Sequence, residues 1–437
     1  MLSREEIREI AERALRTCEA DEVEVVVRAW RNYLTRYASN YIHQNLGEAS
    51  LRITLRAVIG SRMGEASGEG TDESSLRRLA RTASELARSS PEDPELLPRL
   101  GPQEYRKVDA FCEEGTSPSE RARWISEVVA HCRERGLEAA GFFSEERRAL
   151  AIANSKGLFV FYRRTSFTFS ASVTSGEGSG WCERSSWRKD EISPREVGEV
   201  AVRKAEMGRN PREVEPGRYV VILEPAAVAD LIGYLAPGFD ALAVEEGRSF
   251  LSGKVGKKLF GENINIASDV YHPLHRDVPF DSEGVPTKRV QLIRDGVAEN
   301  LVYDRLTAKR HGLEPTGHGL GPRGKLGAIP RALVMEGGRD TLEEMISSTE
   351  RGILVTRFHY HNLVDPMKLI VTGMTRDGTF WIEDGRIRFG IKNLRFNQSL
   401  LDLLNSVEMM SEPVYVSGAV VPALKAGEFN FTSGTEF

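Results

Sequence analysis

His359 and His361, in the run RFHYHNLVD (357–365), are two imidazoles separated by one residue. Successive side chains of a strand point to opposite faces, so alternation puts both rings on one face. There they could hold a transition metal with a third ligand such as Asp365, act as hydrogen-bonding groups over a groove, or sit on a solvated face opposite Phe358 and Tyr360. A second pair, His272 and His275 in HPLH, lies among Asp269, Asp277 and Asp281. These donor types suit zinc, but Pro273 between the imidazoles excludes the regular helix that would align them.

The glycine run 317–327, GHGLGPRGKLG, makes two formal matches to phosphate-binding patterns. Gly319, Gly321 and Gly324 fit GxGxxG, and Gly319 with Gly324-Lys325 fits the start of a P-loop. Neither has its context: no apolar strand enters, no helix leaves, and Leu326 stands where a magnesium-binding hydroxyl is needed. The run reads better as a loop approaching a neighbouring chain or a peptide backbone. No GxSxG elbow occurs. The four cysteines, Cys18, Cys112, Cys132 and Cys182, have no CxxC spacing and read as reduced, mostly buried thiols.

Elements must position these groups. Val221–Leu259 reads as an apolar strand, a turn at Glu224-Pro225 and a helix over 226–235. Upstream, Ser3 and Glu6 form a capping box before the stripe Ile7, Ile10, Ala11, Ala14 and Leu15. Alternating segments at 22–31 and 51–59 then predict antiparallel strands, and 73–89 has helical spacing. After a proline-rich stretch at 90–105 the order recurs: a helix over 118–135, strands at 139–143, 149–154 and 158–173, and a helix over 194–207. The aromatic and hydroxyl alternation of FVFYRRTSFTFSASVTS (159–175) could line a peptide groove, and a sheet with one buried face gives the same pattern. A Pro/Gly stretch at 210–217 separates an N-terminal domain, 1–209, divisible into halves 1–105 and 106–209, from a C-terminal domain, 217–437. There, Asp295-Gly296 and Asp384-Gly385 predict hairpins, and helices are expected over 304–311, 341–349 and 399–409. Strands and helices segregate without regular βαβ alternation, so the predicted class is α+β.

The 437 residues carry a formal charge of −5, with 40% hydrophobic and 28% charged residues. This is the balance of an ordinary folded protein without a basic footprint for nucleic acid. No run approaches the ~20 apolar residues of a membrane helix. The first residues form a polar amphipathic helix rather than a secretory signal, so the cytoplasm is the expected location.

Four segments carry a resemblance: GRSFLSGKVGKK (247–258), the loop 317–331 with Pro330-Arg331, GGRDTLEEMISSTERGILVTRF (337–358) and TGMTRDGTFWIEDGRIRF (372–389). Together they resemble the TldD/PmbA family. The resemblance implies a two-domain α+β subunit, dimeric assembly and an internal channel. In its peptidase members two histidines of HExxxH and a cysteine near the C-terminus hold zinc, the glutamate activates water, and the substrates are unfolded peptides. The matching positions here read Gly233, Tyr234, Leu235, Ala236, Pro237 and Gly238, and no cysteine follows Cys182. Glycine offers no metal ligand, and tyrosine, with an ordinary pKa of about 10, is a poor base. The resemblance therefore implies a PmbA (TldE)-type subunit with no zinc of its own. It would pair with an HExxxH-bearing TldD paralogue or a second copy, and Gly233, Tyr234, Gly238, His359 and His361 would face a peptide chamber. Two rivals stand beside it: a metallopeptidase using a relocated site at either histidine pair, and a non-enzymatic homodimer that adds extended peptide to a sheet edge.

Overall fold

The computed structural model describes residues 1–321 and 327–434. Helix α1 (Arg4–Arg16) begins at the expected capping box: Glu6 N–H donates to Ser3 Oγ at 3.1 Å and Ser3 N–H donates to Glu6 Oε2 at 2.7 Å. Its stripe Ile7, Ile10, Ala11 and Ala14 is buried. Strands β1 (Glu22–Ala38), β2 (Tyr41–Ile59) and β3 (Arg62–Gly68) follow, then α2 (Glu73–Ser89). The order repeats as α3 (Pro118–Arg133), β4 (Glu138–Asn154), β5 (Phe159–Ser175), β6 (Gly178–Ser186) and α4 (Pro194–Met207).

Both sets share one antiparallel sheet, ordered β3-β2-β1-β4-β5-β6, in which the first strand of each set pairs with the other. Helices α1 and α2 pack on Val25, Val27, Ile53 and Leu55, while α3 and α4 pack on Phe143, Phe167, Phe169 and Val173. The aromatic alternation of β5 is thus explained over this half by one buried face. β4 runs unbroken through 144–148, where the sequence suggested a gap. Residues two apart on a strand share a face, so Arg147 donates to Glu145 at 2.6 Å and Arg148 to Glu146 at 2.6 Å, which keeps the charged run compatible with the sheet. On the opposite face Val26, Ile152, Val160 and Tyr162 meet Phe280 of the C-terminal domain.

The C-terminal domain is strand-rich. Strand β7 (Gly217–Leu223) lies parallel to Arg351–Asp365 and antiparallel to Leu424–Gly434. The ladder continues through Leu394–Ser399 and Ile370–Glu383, which pairs back onto Arg351–Asp365 and closes a ring of five strands. A second sheet is built around Ile266–Ser268, Val290–Arg294 and Leu333–Met335. Both Asp-Gly turns form with left-handed backbones, Asp295 at φ 50° and Asp384 at φ 51°. The architecture is α+β. The helix expected over 399–409 is shorter: it spans Leu400–Asn405, and Val407–Met410 joins the sheet against Leu424–Gly434. No helix among the described residues is long and apolar enough to cross a membrane.

Candidate functional site

After β7 the chain turns at Glu224, whose carboxylate takes the Lys204 ammonium at 2.5 Å, and enters α5 (Pro225–Ile232) with Pro225 in its first turn. Proline is tolerated there because the first N–H groups lack helical partners. The helix was expected to reach residue 235, but it gives way at Gly233 to a tighter 3-10 segment, Gly233–Phe239. Pro237 supplies the reason, since it cannot donate to the preceding turn.

Two side chains four positions apart, Asp230 and Tyr234, therefore face one strand, Arg351–Asp365. Asp230 Oδ2 accepts the Phe358 N–H at 3.1 Å, and its Oδ1 lies 3.7 Å from His361 Nε2. The Tyr234 hydroxyl lies 2.8 Å from the His361 carbonyl oxygen and 2.9 Å from His361 Nδ1. The carbonyl oxygen can only accept, so the hydroxyl proton serves it, and the second contact is a hydrogen bond when His361 Nδ1 carries a proton. The strand is irregular at this point. His359 pairs with Met374 but Asn362 with Thr372, one residue too many on one side, and Tyr360 adopts φ 48°. This bulge breaks the simple alternation predicted for the two histidines. Phe358 is buried and Tyr360 is exposed, while the His359 ring lies against Tyr360 at 4.1 Å. Gly373 makes room for the arrangement: a Cβ there would fall 2.9 Å from His361 Cβ and 2.8 Å from the Phe396 ring.

The neighbouring polar groups escaped the sequence reading. Arg357 pairs with Asp377 and lies over the Trp181 ring at 4.5 Å, and Trp181 Nε1–H donates to Ser170 Oγ at 3.0 Å. Burial raises the Asp230 carboxyl above its usual range, against the Phe358 N–H, His361 and Arg357, which hold it down. Burial likewise raises Glu183, with Ser170 and Arg357 opposing. The one sequence signal that could have found Asp230 is a lone carboxylate inside the otherwise apolar helix PAAVADLI.

Of the other expected residues, Gly233 has open space where a Cβ would project. Gly238 lies in the core instead of on an open wall. A Cβ there would fall 2.0 Å from Phe250 Cε1, and the Gly238 carbonyl accepts the Ser249 hydroxyl at 2.6 Å. His272 and His275 face each other across a short hairpin, with His275 buried against Tyr415. Their carboxylate neighbours are engaged elsewhere: Asp269 with the Tyr271 N–H, Asp277 with Arg164, and Asp281 with the N–H groups of Glu283, Val285 and Gly319. Asp365 caps the turn that follows its strand, accepting the Met367 and Lys368 N–H groups. Gly324, Lys325 and Leu326 of the glycine run lie outside the described residues.

A zinc site needs three or four imidazole, thiolate or carboxylate ligands converging on one point. Among the described residues no group of three or more His, Cys, Asp or Glu side chains is placed to hold a metal ion. At the positions that the sequence resemblance sets against HExxxH, two glycines and a hydrogen-bonded tyrosine offer no zinc ligands. What the arrangement brings together is a backbone-anchored imidazole (His361), a phenol (Tyr234), the half-buried carboxylates of Asp230 and Glu183, and the Arg357 guanidinium.

The chain matches the descriptions "PmbA/TldA metallopeptidase C-terminal domain" over residues 216–433 and "PmbA/TldA metallopeptidase central domain" over residues 113–209. It is 25% identical over 375 residues to Metalloprotease PmbA of Escherichia coli O157:H7, covering 79% of this chain and 78% of that protein. It is 24% identical over 379 residues to a PmbA homologue of Haemophilus influenzae, covering 82% and 80%. In fold it is similar to TldE from Thermococcus kodakarensis, with a TM-score of 0.85 at 23% identity, over 98% of this chain and 100% of that one. With both domain descriptions matched in order along the sequence, the chain belongs to the PmbA/TldD family of metallopeptidase-like proteins.

Proposed function

We propose that this chain is a zinc-free subunit that pairs with a zinc-bearing paralogue of the same family, and that together they enclose a chamber acting on unfolded peptides. The observation that carries the reading is Tyr234. Where the sequence resemblance expects the catalytic glutamate of HExxxH stands a phenol whose hydroxyl is committed to His361. Burial raises its pKa further from the range of a useful base. Metal-assisted hydrolysis requires a metal-bound water and a group to take its proton, and this subunit would leave both to its partner. Its own contribution is a wall of the chamber, in which Tyr234 braces the strand bulge that carries His359 and His361.

Purification of the chain alone and together with an HExxxH-bearing paralogue tests this. Bound zinc by elemental analysis and cleavage of an unstructured peptide are then measured for each. The expected result is zinc and cleavage only in the mixed complex. Stoichiometric zinc with chelator-sensitive cleavage by the isolated chain overturns the proposal.

A further inference from the structure

β5 is covered along only part of its length. β6 runs beside Phe167–Ser175, and Ala110 bridges Arg164 just upstream. Phe159–Arg163 have β4 on one side and, among the described residues, no strand on the other. Alternate residues of an antiparallel strand bond to opposite neighbours. On the β4 side the Asn154 N–H donates to the Leu158 carbonyl at 3.1 Å, and on the far side the Thr165 N–H donates to the Ala110 carbonyl at 2.9 Å. The β4 pairing is unbroken between these points. Phe159 and Phe161 therefore direct their N–H and C=O groups to the open side, as does the Arg163 N–H.

This edge borders a groove of about 580 Å³ whose other wall is the segment 103–111. The charged groups that line it are Arg4, Arg106, Lys107 and Arg163 against a single carboxylate, Asp109. Arg163 is paired with Glu113 at 2.6 Å, whereas Arg4, Arg106 and Lys107 are exposed and have no ion pair among the described residues. Guanidinium groups rest on rings instead: Arg4 and Arg8 lie 5.7 and 4.3 Å from the Phe159 ring centre, and Arg106 lies 4.5 Å from that of Tyr271. In a chain whose net charge is −5, this groove is a local positive field that draws anions.

Two features decide the kind of anion. A free strand edge recruits polypeptide, whose N–H and C=O groups complete the ladder; a nucleic acid strand has no such ladder to offer. The cations also stand on both faces of the sheet. Arg4 and Arg8 meet Phe159 on the α1 side, and Arg106 meets Tyr271 of the C-terminal domain, which covers the other face. An added strand points successive side chains to opposite faces, so neighbouring acidic residues meet a cation on each.

We propose that this groove takes an extended acidic segment of a partner protein, paired by backbone hydrogen bonds along Phe159–Arg163 and held by Arg4, Arg106 and Lys107. The site belongs to the N-terminal sheet and does not rest on the peptide-chamber reading.

Fluorescence anisotropy of the full chain with an end-blocked, dye-labelled octapeptide of Glu and Val tests it, beside a Lys/Val counterpart and the Glu/Val peptide N-methylated at alternate residues. The Glu/Val peptide is expected to bind, to weaken at least about tenfold between about 50 and 500 mM salt, and to slow hydrogen exchange of the Phe159 and Phe161 amides. Arg106→Glu with Lys107→Glu, both at exposed positions, should weaken it at least about tenfold, and N-methylation should do the same. Arg4→Glu serves as a second variant that keeps α1, because an acidic residue suits the first turn of a helix. No binding of the Glu/Val peptide, equal binding of the Lys/Val or N-methylated peptide, undiminished binding by the folded variants, protection confined to the C-terminal domain, or displacement of the peptide by a tighter-binding single-stranded oligonucleotide would each overturn it.

Discussion

Tyr234 and His361, 127 residues apart, are joined twice, through the His361 carbonyl oxygen at 2.8 Å and through Nδ1 at 2.9 Å. One side chain thus fixes both the backbone and the ring of a strand bulge. Tyr234→Phe removes both bonds while keeping the ring in place. The expected loss is about 1 to 2 kcal/mol of stability, measured by denaturant unfolding. The His361 ring signal should broaden in NMR spectra; an unchanged ring signal would mean that the bulge is held without Tyr234.

Gly238 tests packing instead of chemistry. A methyl group there would overlap the Phe250 ring, and inserting volume into a filled core costs typically about 1 to 3 kcal/mol. Gly238→Ala should lower Tm, and Gly238→Ala with Phe250→Leu should recover part of the loss. Gly233→Ala, with open space at its Cβ, should change Tm little.

Asp281 and Glu283 give a pH dependence. Burial pushes Asp281 up to about 6 and Glu283 up to about 8, and the Asp281 charge adds to the rise at Glu283. The sign follows from proton binding: the folded chain holds protons that the unfolded chain, with ordinary carboxyl values of about 4, has already released. The contribution of this pair is therefore most favourable below about pH 4 and is lost as pH rises through 6 and then 8. Facing groups include Asp304 and the Arg305 backbone and guanidinium at Glu283, and Arg331 at Asp281. Glu283→Gln should flatten the fall in Tm above neutral pH; an unaltered slope would place the titration elsewhere.

The buried carboxylate of Glu24 lies 2.6 Å from Arg56 Nη1 and 3.7 Å from Arg99 Nη1 in the N-terminal sheet. Glu24→Ala leaves two buried cations short of their counter-charge, which costs about 3 to 5 kcal/mol. Chemical denaturation reads this directly. A loss below about 1 kcal/mol would show that the other partners of Arg56 and Arg99 suffice.

Local signals were legible in the sequence. The Ser3/Glu6 box, the α1 stripe and the two Asp-Gly turns each depend on residues within a few positions of one another, and each formed as read. That no HExxxH string occurs can be read off the sequence directly. Arg357, Asp377 and Glu183 were not legible, because only tertiary packing brings β6 and the two long C-terminal strands beside α5. The bulge at Tyr360 also left no trace, since a left-handed non-glycine residue inside a strand is imposed by its surroundings, here the Asp230 and Tyr234 bonds and the gap at Gly373.

The five-stranded ring has a consequence for synthesis. β7, which launches the helix bearing Asp230 and the 3-10 segment bearing Tyr234, has as strand neighbours among the described residues two that lie far downstream, Arg351–Asp365 and Leu424–Gly434. Its sheet partners therefore do not exist until nearly the whole sequence has left the ribosome, and long-range pairing of this kind is slow. The Tyr234 cluster is thus among the last parts of the molecule to assemble. A chain cut short before Leu424 would hold every residue of the cluster but leave β7 with one of its two sheet partners.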